Sequence, residues 1–175
     1  MGSSLLFMAN ERNPPVFLVT GTPGTGKTAV ARALAKKFNG IWVNELDFAR
    51  KNKIGRRLPD GEWEIPLPQL KRKLVAFLKK QKKPVFLDGH VLCEIRLPVD
   101  YCFVLTCTPA ILEKRLRKRK YSELKVLDNT AAEQNGYCLR LATRLFGRKV
   151  KKVSTNQQLR QTLRTIAATL SKVLA

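Results

Sequence analysis

Residues 21–28 read GTPGTGKT and come directly after the apolar, β-branched run VFLVT at residues 16–20. The octapeptide matches the phosphate loop G-x-x-x-x-G-K-[ST], whose backbone N–H groups surround phosphate oxygens at the positive end of a helix dipole. In such a loop Lys27 reaches the β- and γ-phosphates, and Thr28 offers its hydroxyl to Mg²⁺. The segment therefore predicts a site for ATP and Mg²⁺. The expected nucleotide contacts are Gly24, Thr25, Gly26, Lys27, Thr28 and Ala29, together with Arg115 and Arg119 further along the chain.

The composition is that of a folded protein without a membrane span. The 175 residues are 44% hydrophobic and include two Trp and eight Phe, so we expect one globular domain over residues 1–175. No apolar run is long enough to cross a bilayer, and no basic stretch leads into an apolar signal core. These features predict a soluble, cytoplasmic protein. Residues 1–4 are assigned no function.

The four cysteines lack the paired C-x-x-C spacing of a zinc site. Free cysteines are among the most buried residue types, and two of these lie in or just after an apolar run. Buried thiols in a reducing compartment are therefore expected at Cys93, Cys102, Cys107 and Cys138.

Positive charge is the second strong feature of the chain. It has 34 Lys and Arg against 13 Asp and Glu, a formal net charge of +21 and a pI near 10.4. An ATP site uses only a few of these charges, so the excess indicates a polyanionic partner, and RNA is favoured over a merely solvated surface. The basic clusters lie at 71–73, 79–83, 114–120 and 148–152.

Apolar, β-rich runs alternate with segments long enough for helices. This alternation predicts an α/β protein built on a five-stranded parallel sheet. The strands are expected at 16–20, 41–43, 85–87, 101–106 and 150–154. The helices are expected at 27–38, 67–82, 109–120, 129–146 and 156–174. Two regions outside the alternation, 48–68 and 121–129, are candidate substrate lids.

Asp88 ends the apolar run at 85–87, where the second nucleotide motif of a P-loop enzyme belongs. From there its carboxylate would share Mg²⁺ with Thr28, although an Asp-Gly pair also forms ordinary turns. His90, the single histidine, follows two residues later on the same loop. It is either structural or orients the attacking water or acceptor.

Arginines in the run at 115–120 are candidates for stabilising the transferred phosphoryl group, whose charge spreads over its equatorial oxygens. Arg119 is the best candidate for the transition-state arginine. Arg115 lies one helical turn earlier and is second, the alternative for both being a solvated helix face. Trp42 is expected in the core of its strand, and Trp63 either packs in the lid or stacks on a base.

A family resemblance rests on these motifs together. The phosphate loop, the triplet Asp88-Gly89-His90, and Arg119-Lys120-Tyr121 followed by Lys125, Asp128-Asn129 and Ala132-Glu133 resemble the coilin-interacting nuclear ATPase family. That family comprises adenylate-kinase-like ribosome assembly factors, and the resemblance covers residues 16–154. The chain departs from the family pattern in three places: Lys120 stands where Gly is usual, Asp128 replaces Glu, and residues 68–70 replace an acidic stretch.

The resemblance implies a fold, an activity, a partner set and site residues. The implied fold is the three-layer P-loop fold of the nucleoside monophosphate kinase type. ATP would be held by the phosphate loop, Asp88 and His90 would serve metal and catalysis, and Asn44 would lie at the monophosphate site. The implied insertion at that site covers about 44–68, and the implied lid covers about 119–130. Such proteins transfer phosphate between ATP and AMP, hydrolyse ATP, and bind the platform protein of the small ribosomal subunit during maturation of its rRNA. The basic charge suggests an archaeal source.

Two other functions are compatible with the same residues. One is a kinase for a small metabolite or nucleoside monophosphate, with an incidental basic surface and no ribosomal role. The other is a module that binds RNA or protein under the control of a nucleotide switch, with chemistry too slow to matter. Rapid phosphorylation of a single small acceptor would favour the first, and an intact biological role after Asp88→Asn would favour the second.

Overall fold

The computed structural model describes residues 14–59 and 61–174, except the side chain of Leu174. Residues 1–4, to which no function was assigned, lie outside the described part. The strands are β1 (Val16–Thr20), β2 (Ile41–Asn44), β3 (Arg56–Arg57), β4 (Trp63–Glu64), β5 (Val85–Asp88), β6 (Tyr101–Thr106) and β7 (Val150–Ser154). The helices are α1 (Lys27–Lys37), α2 (Glu45–Lys51), α3 (Leu67–Leu78), α4 (Pro109–Lys118), α5 (Glu123–Gln134), α6 (Tyr137–Phe146) and α7 (Leu159–Leu174).

Five of the strands form one parallel sheet, as the alternating pattern predicts. Their order is β2-β5-β1-β6-β7, so β1 lies in the centre and β2 and β7 form the edges. In this register Asp88 pairs with Asn44 on one side and with Val19 on the other. The carboxyl ends of β1, β2 and β5 therefore meet at one edge of the sheet, directly beside the phosphate loop.

Side chains from the two faces of the sheet enter separate apolar clusters. Phe17, Phe86 and Phe103 pack with α1 and α7 on one face, whereas Leu18 and Leu87 pack with α3 and α6 on the other. Each of these five residues is at most 1% exposed. Burial of a side chain of this size contributes about 1.5–3 kcal/mol, which accounts for a central sheet with apolar residues on both faces.

The prediction of a single helix over 129–146 is wrong. The chain forms α5 and α6 instead, with Gly136 at the junction in a left-handed conformation (φ 60°) that ends one helix before the next begins. Helix α5 starts before residue 129 because Ser122 is an N-cap whose hydroxyl accepts from Lys125 N. Most of the stretch 121–129, expected to be irregular, is therefore helical.

The region 48–68 is more ordered than expected. Asn44 caps the short helix α2, and β3 pairs with β4 as an antiparallel hairpin. The indole Nε1 of Trp63 donates to Ile54 O at 2.8 Å, and the Arg50 guanidinium lies 5.4 Å from the ring centre. These contacts support packing of Trp63 within its own segment.

The expectation of buried thiols is confirmed, since all four cysteines are free and buried. Within 14–59 and 61–174, no helix combines the length and apolar character needed to cross a bilayer.

Candidate nucleotide site

The phosphate loop occupies the turn between β1 and α1. It is closed by Thr25, whose backbone N and Oγ1 donate to Thr22 O at 3.2 and 2.8 Å. Gly24 has φ 96°, and a Cβ at that position would lie 2.7 Å from Leu112 Cδ1 of α4. Glycine allows both this backbone angle and the close contact with Leu112, and α4 can therefore lie directly against the loop.

Lys27 lies at the first turn of α1 with its ammonium group directed back over the loop. Its Nζ donates to Thr22 O at 3.2 Å. Burial lowers the pKa of Lys27, while the carboxylates of Glu45 and Asp88 oppose that change. A partly desolvated cation within a ring of backbone N–H groups is suited to binding phosphate oxygens.

Asp88 is buried, and hydrogen bonds fix both of its carboxylate oxygens. Thr28 Oγ1 donates to Oδ1 at 3.1 Å, and Trp42 Nε1 donates to Oδ2 at 2.8 Å. Burial raises the pKa of Asp88, whereas hydrogen bonds from Trp42, Asn44 and Thr28 lower it. Trp42, expected in the core, is only half-buried and holds this carboxylate in place.

The pair formed by Thr28 and Asp88 fits Mg²⁺. One hydroxyl and one carboxylate are hard oxygen donors, and P-loop proteins complete the coordination of Mg²⁺ with phosphate oxygens and water. Outside residues 1–13, 60 and 175, no cluster of three or more His, Cys, Asp or Glu side chains could hold a metal ion. Because this pair supplies two protein oxygens, it suits a metal whose remaining ligands come from the nucleotide and water.

Asn44 stabilises the edge of the site through two sets of contacts. Its Oδ1 accepts from Leu46 N and Asp47 N, both at 3.1 Å, which caps α2, and its side chain also hydrogen-bonds Asp88. Asn44 thus connects α2 to the carboxylate of the metal pair. Its role at a monophosphate site stays a prediction.

His90 lies on the exposed loop after β5 and is held by a residue that the sequence analysis missed. Glu45 is 5% exposed, and its Oε1 accepts from both the backbone N and Nδ1 of His90 at 2.9 Å. Its Oε2 accepts from Val91 N at 3.1 Å. A Cβ on Gly89 would lie 2.1 Å from Oε2, so glycine is required for this approach. The sequence did contain a signal for Glu45, because it is an acid placed directly after a strand whose carboxyl end lies beside the phosphate loop.

A cavity of about 450 Å³ lies between the phosphate loop, α4 and the start of α7. Its walls include Ala29, Arg115 and Arg119 together with three residues of the loop. The guanidinium of Arg115 donates to Thr155 Oγ1 at 3.1 Å and to Thr155 O at 2.6 Å, which fixes α4 to the end of β7. Arg119 is exposed, and its charge is close enough to lower the pKa of Lys27.

Glu133 is a second residue of the site to which the sequence analysis gave no role. One carboxylate oxygen accepts from Thr22 Oγ1, and the other accepts from Cys107 N at 2.9 Å. These bonds join α5 to the phosphate loop and to the end of β6. No sequence signal links positions 22 and 133, because only the fold brings them together.

This geometry agrees with comparisons of the sequence. A family model for the AAA domain matches residues 18–136. The chain belongs to this family. It is 33% identical over 123 residues to a protein of Methanocaldococcus jannaschii named "Putative adenylate kinase", covering 69% of this chain and 68% of the relative. A Pyrococcus abyssi protein of the same name is 42% identical over 117 residues, which are 66% of this chain and only 61% of the relative.

Solved structures confirm the predicted fold. Shikimate kinase from Acinetobacter baumannii superimposes with a TM-score of 0.64 at 16% identity, covering 93% of this chain and 96% of the other. At that identity the likeness establishes the P-loop kinase fold alone. The match to archaeal relatives supports the adenylate-kinase-like part of the resemblance.

Proposed function

We propose that the chain is an Mg²⁺-dependent adenylate kinase that converts ATP and AMP to two ADP and also hydrolyses ATP. The observation that carries the proposal is the 3.1 Å bond between Thr28 Oγ1 and Asp88 Oδ1, next to Lys27 at the start of α1. This pairing of hydroxyl, carboxylate and ammonium is what a nucleotide triphosphate with Mg²⁺ requires. The names of the archaeal relatives favour AMP as the acceptor.

Each side of the site has a proposed task. The loop residues and Ala29 hold the triphosphate, Thr28 and Asp88 hold Mg²⁺, and Lys27 and Arg119 stabilise the charge of the transferred group. The bound metal would neutralise negative charge on the phosphates. Glu45 fixes His90 so that its exposed imidazole can orient the acceptor or a water molecule. Arg115 supports the nucleotide cavity through Thr155.

The acceptor side is assigned to the segment after β2. We place AMP near Asn44, with residues 44–68 as the monophosphate-site insertion and 119–130 as the lid of a single domain. Helix α2 and the loop carrying His90 meet there through Glu45. The dense hydrogen bonding at this junction favours a shaped acceptor site over an open surface.

A role in maturation of the small ribosomal subunit is the second part of the proposal. It rests on the family resemblance and on a net charge of +21, which a nucleotide site alone does not use. The proposed partners are rRNA and the platform protein of the small subunit, in the cytoplasm of an archaeon.

The test is ADP formation from ATP and Mg²⁺ with and without AMP, comparing the intact chain with Lys27→Ala and Asp88→Asn. The proposal predicts AMP-dependent ADP formation that both variants lose, and modulation when rRNA and the platform protein are added. Unchanged activity in the variants would refute the site assignment. Rapid AMP phosphorylation that ignores the ribosomal components would retain the kinase and remove the ribosomal role.

A further inference from the structure

A second cavity, of about 590 Å³, lies on the outer side of the edge strand β2. All four residues of β2 line it, so it runs along the strand rather than under one face of the sheet. Helices α2 and α3 form its walls. No residue of the phosphate loop lines it, so it is separate from the cavity beside Arg115 and Arg119. We call it the β2 groove.

Three exposed lysines surround the β2 groove: Lys51 from α2, and Lys73 and Lys80 from α3 and the turn after it. None of the three has an ion pair among residues 14–59 and 61–174. Among the described residues of the lining, Asp47 is the one acid. The groove therefore carries uncompensated positive charge.

Helix α3 presents these groups in a regular pattern. Lys73 and Phe77 are four residues apart on one face of α3, and Lys80 follows in the turn after the helix. The neighbouring face, with Leu70, Leu74 and Leu78, is buried in the core. Over residues 67–83 the chain has seven Lys or Arg and no acid. The lysines of the groove thus belong to a wider basic surface.

Aromatic rings form part of the lining of the groove. Phe48 and Phe77 contact each other edge to face with ring centres 5.5 Å apart, and both are half-buried. Trp42 lines the same groove. A basic groove that also presents aromatic rings is the arrangement that binds single-stranded nucleic acid, because lysines neutralise the backbone and bases stack on the rings.

We propose that the β2 groove binds single-stranded RNA. The charge favours a polyanion, and the aromatic lining favours unpaired bases over a duplex, whose bases are stacked inside. Asp47 can accept a hydrogen bond from a ribose 2′-hydroxyl, a group that DNA lacks. The inference rests on the RNA part of the proposed function and gives it a site, which adjoins the proposed acceptor site because Asn44 also lines the groove.

The groove also has a direct connection to the nucleotide site. Trp42 lines the groove, and its Nε1 donates to Asp88 Oδ2 at 2.8 Å. RNA in the groove would therefore contact the residue that holds the metal-binding carboxylate.

The test uses the full chain and a fluorescent oligouridine of about ten nucleotides, with binding followed by anisotropy over a series of salt concentrations. Lys73→Gln with Lys80→Gln removes two charges from the groove. Lys152→Gln with Lys172→Gln removes two exposed charges from β7 and α7, at the other side of the sheet. The groove pair is expected to lose about tenfold or more in affinity, and its log–log salt slope should fall by about 1.4. The control pair should change neither quantity appreciably.

Stacking is tested separately with Phe77→Leu. The control is Phe38→Leu, because the ring of Phe38 is also half-buried but does not line the groove. The Phe77 variant is expected to bind the oligouridine about fivefold or more weakly, while the Phe38 variant binds normally. Melting curves and ATP hydrolysis without RNA establish that each variant is folded.

Several results would overturn the inference. Equal losses in the two lysine pairs would mean dispersed electrostatic binding. Equal affinity for oligothymidine or for a duplex RNA of the same length would refute single-stranded RNA as the ligand. Full competition by an oligoglutamate peptide would make the groove a peptide site, and a change of oligomeric state in the groove pair would make it a contact between copies. Complete absence of RNA binding would remove both this site and the ribosomal proposal, whereas AMP-dependent ADP formation would remain.

Discussion

The two halves of the nucleotide site are held in different ways. On the β5 side, Asp88 and Glu45 are buried and their oxygens accept hydrogen bonds from neighbouring strands and loops. On the α4 side, Arg119 and Lys120 are exposed, and within 14–59 and 61–174 the Arg119 guanidinium has no hydrogen-bond or ion-pair partner. One half is preorganised, and for the other we expect contacts to form only when a ligand binds.

This difference has a physical reason. A carboxylate that must bind a metal in a fixed place can be buried because hydrogen bonds and a nearby ammonium compensate the cost of desolvation. A cation that must close on a phosphoryl group keeps its hydration until the substrate replaces it. Substitutions in the first half should therefore change stability and catalysis together, and those in the second half should change catalysis alone.

The largest effect is expected for Asp88→Asn. The substitution replaces one carboxylate oxygen with an NH₂ group, which cannot bind the metal. The rate of ADP formation should therefore fall by about 10²- to 10³-fold, the effect expected when one preorganised electrostatic group is lost. The buried charge also disappears, so the melting temperature should stay equal or rise. A rate assay with varied Mg²⁺ and a thermal melt measure both effects. Retained activity at saturating Mg²⁺ would remove Asp88 from the metal site.

Arg119→Ala tests the exposed half. The rate constant kcat should fall by about 10²-fold or more because transition-state charge loses its partner, with no change in the free energy of unfolding. Lys114→Ala, an exposed cation on the same helix, is the matched control and should leave both quantities unchanged. A loss that appears only in KM would place Arg119 in ground-state binding instead.

Glu45→Gln tests whether a positioning residue in the buried half affects both properties. The amide oxygen can still accept from His90, but the second oxygen is replaced by a donor that cannot accept from Val91 N, and the carboxylate charge is lost. We therefore expect about a tenfold loss of kcat and about 1–3 kcal/mol of stability. His90→Ala combined with Glu45→Gln should then be no slower than His90→Ala, since Glu45 would act through His90.

Trp42→Phe should shift the acid limb of the pH–rate profile. Burial already raises the pKa of Asp88, and the indole hydrogen bond lowers it, so removing that bond raises the pKa further. Asp88 must be ionised to hold Mg²⁺, and activity should therefore be lost at a higher pH than in the parent chain. An unshifted limb would show that another group controls it.

The contribution of Asp88 to the pH dependence of folding stability has the opposite sign to that of an Asp whose pKa is lowered by an ion pair. Because the folded-state pKa lies above the unfolded one, the folded state binds the extra proton. Stability should rise as the pH falls from above the folded pKa of Asp88 towards its unfolded value, and a series of melts tests the Asp88 contribution by comparison with Asp88→Asn.

The smallest effect is expected for Lys120→Gly. Lys120 has φ 58°, a left-handed conformation that costs a side chain about 1–2 kcal/mol and that Gly adopts without this cost. Gly removes this strain but also raises the conformational entropy of the unfolded chain, which offsets part of the stabilisation. The free energy of unfolding should therefore rise by up to about 1 kcal/mol. Lys114→Gly, at an exposed position inside α4, should lower it by about 1 kcal/mol, as in any helix interior. Denaturant melts of both variants measure the contrast.

Much of the fold was predictable from local sequence. Apolar runs in a parallel sheet are nearly continuous, and their positions predicted all five strands of the main sheet. The boundary between α5 and α6 was not predictable by periodicity, since apolar residues continue across Gly136 and a single glycine is tolerated in a helix pattern. The hairpin β3-β4 is too short to produce a periodic signal.

The sequence by itself determined the phosphate loop and the position of Asp88 after a strand, because their chemistry depends on neighbours in the chain and on a fixed spacing. Only the tertiary structure decided that Trp42 holds Asp88, that Glu45 holds His90, that Glu133 joins α5 to Thr22, and that lysines from α2 and α3 surround an edge strand. These contacts join residues far apart in the sequence, and parallel pairing brings such residues together without leaving a local pattern.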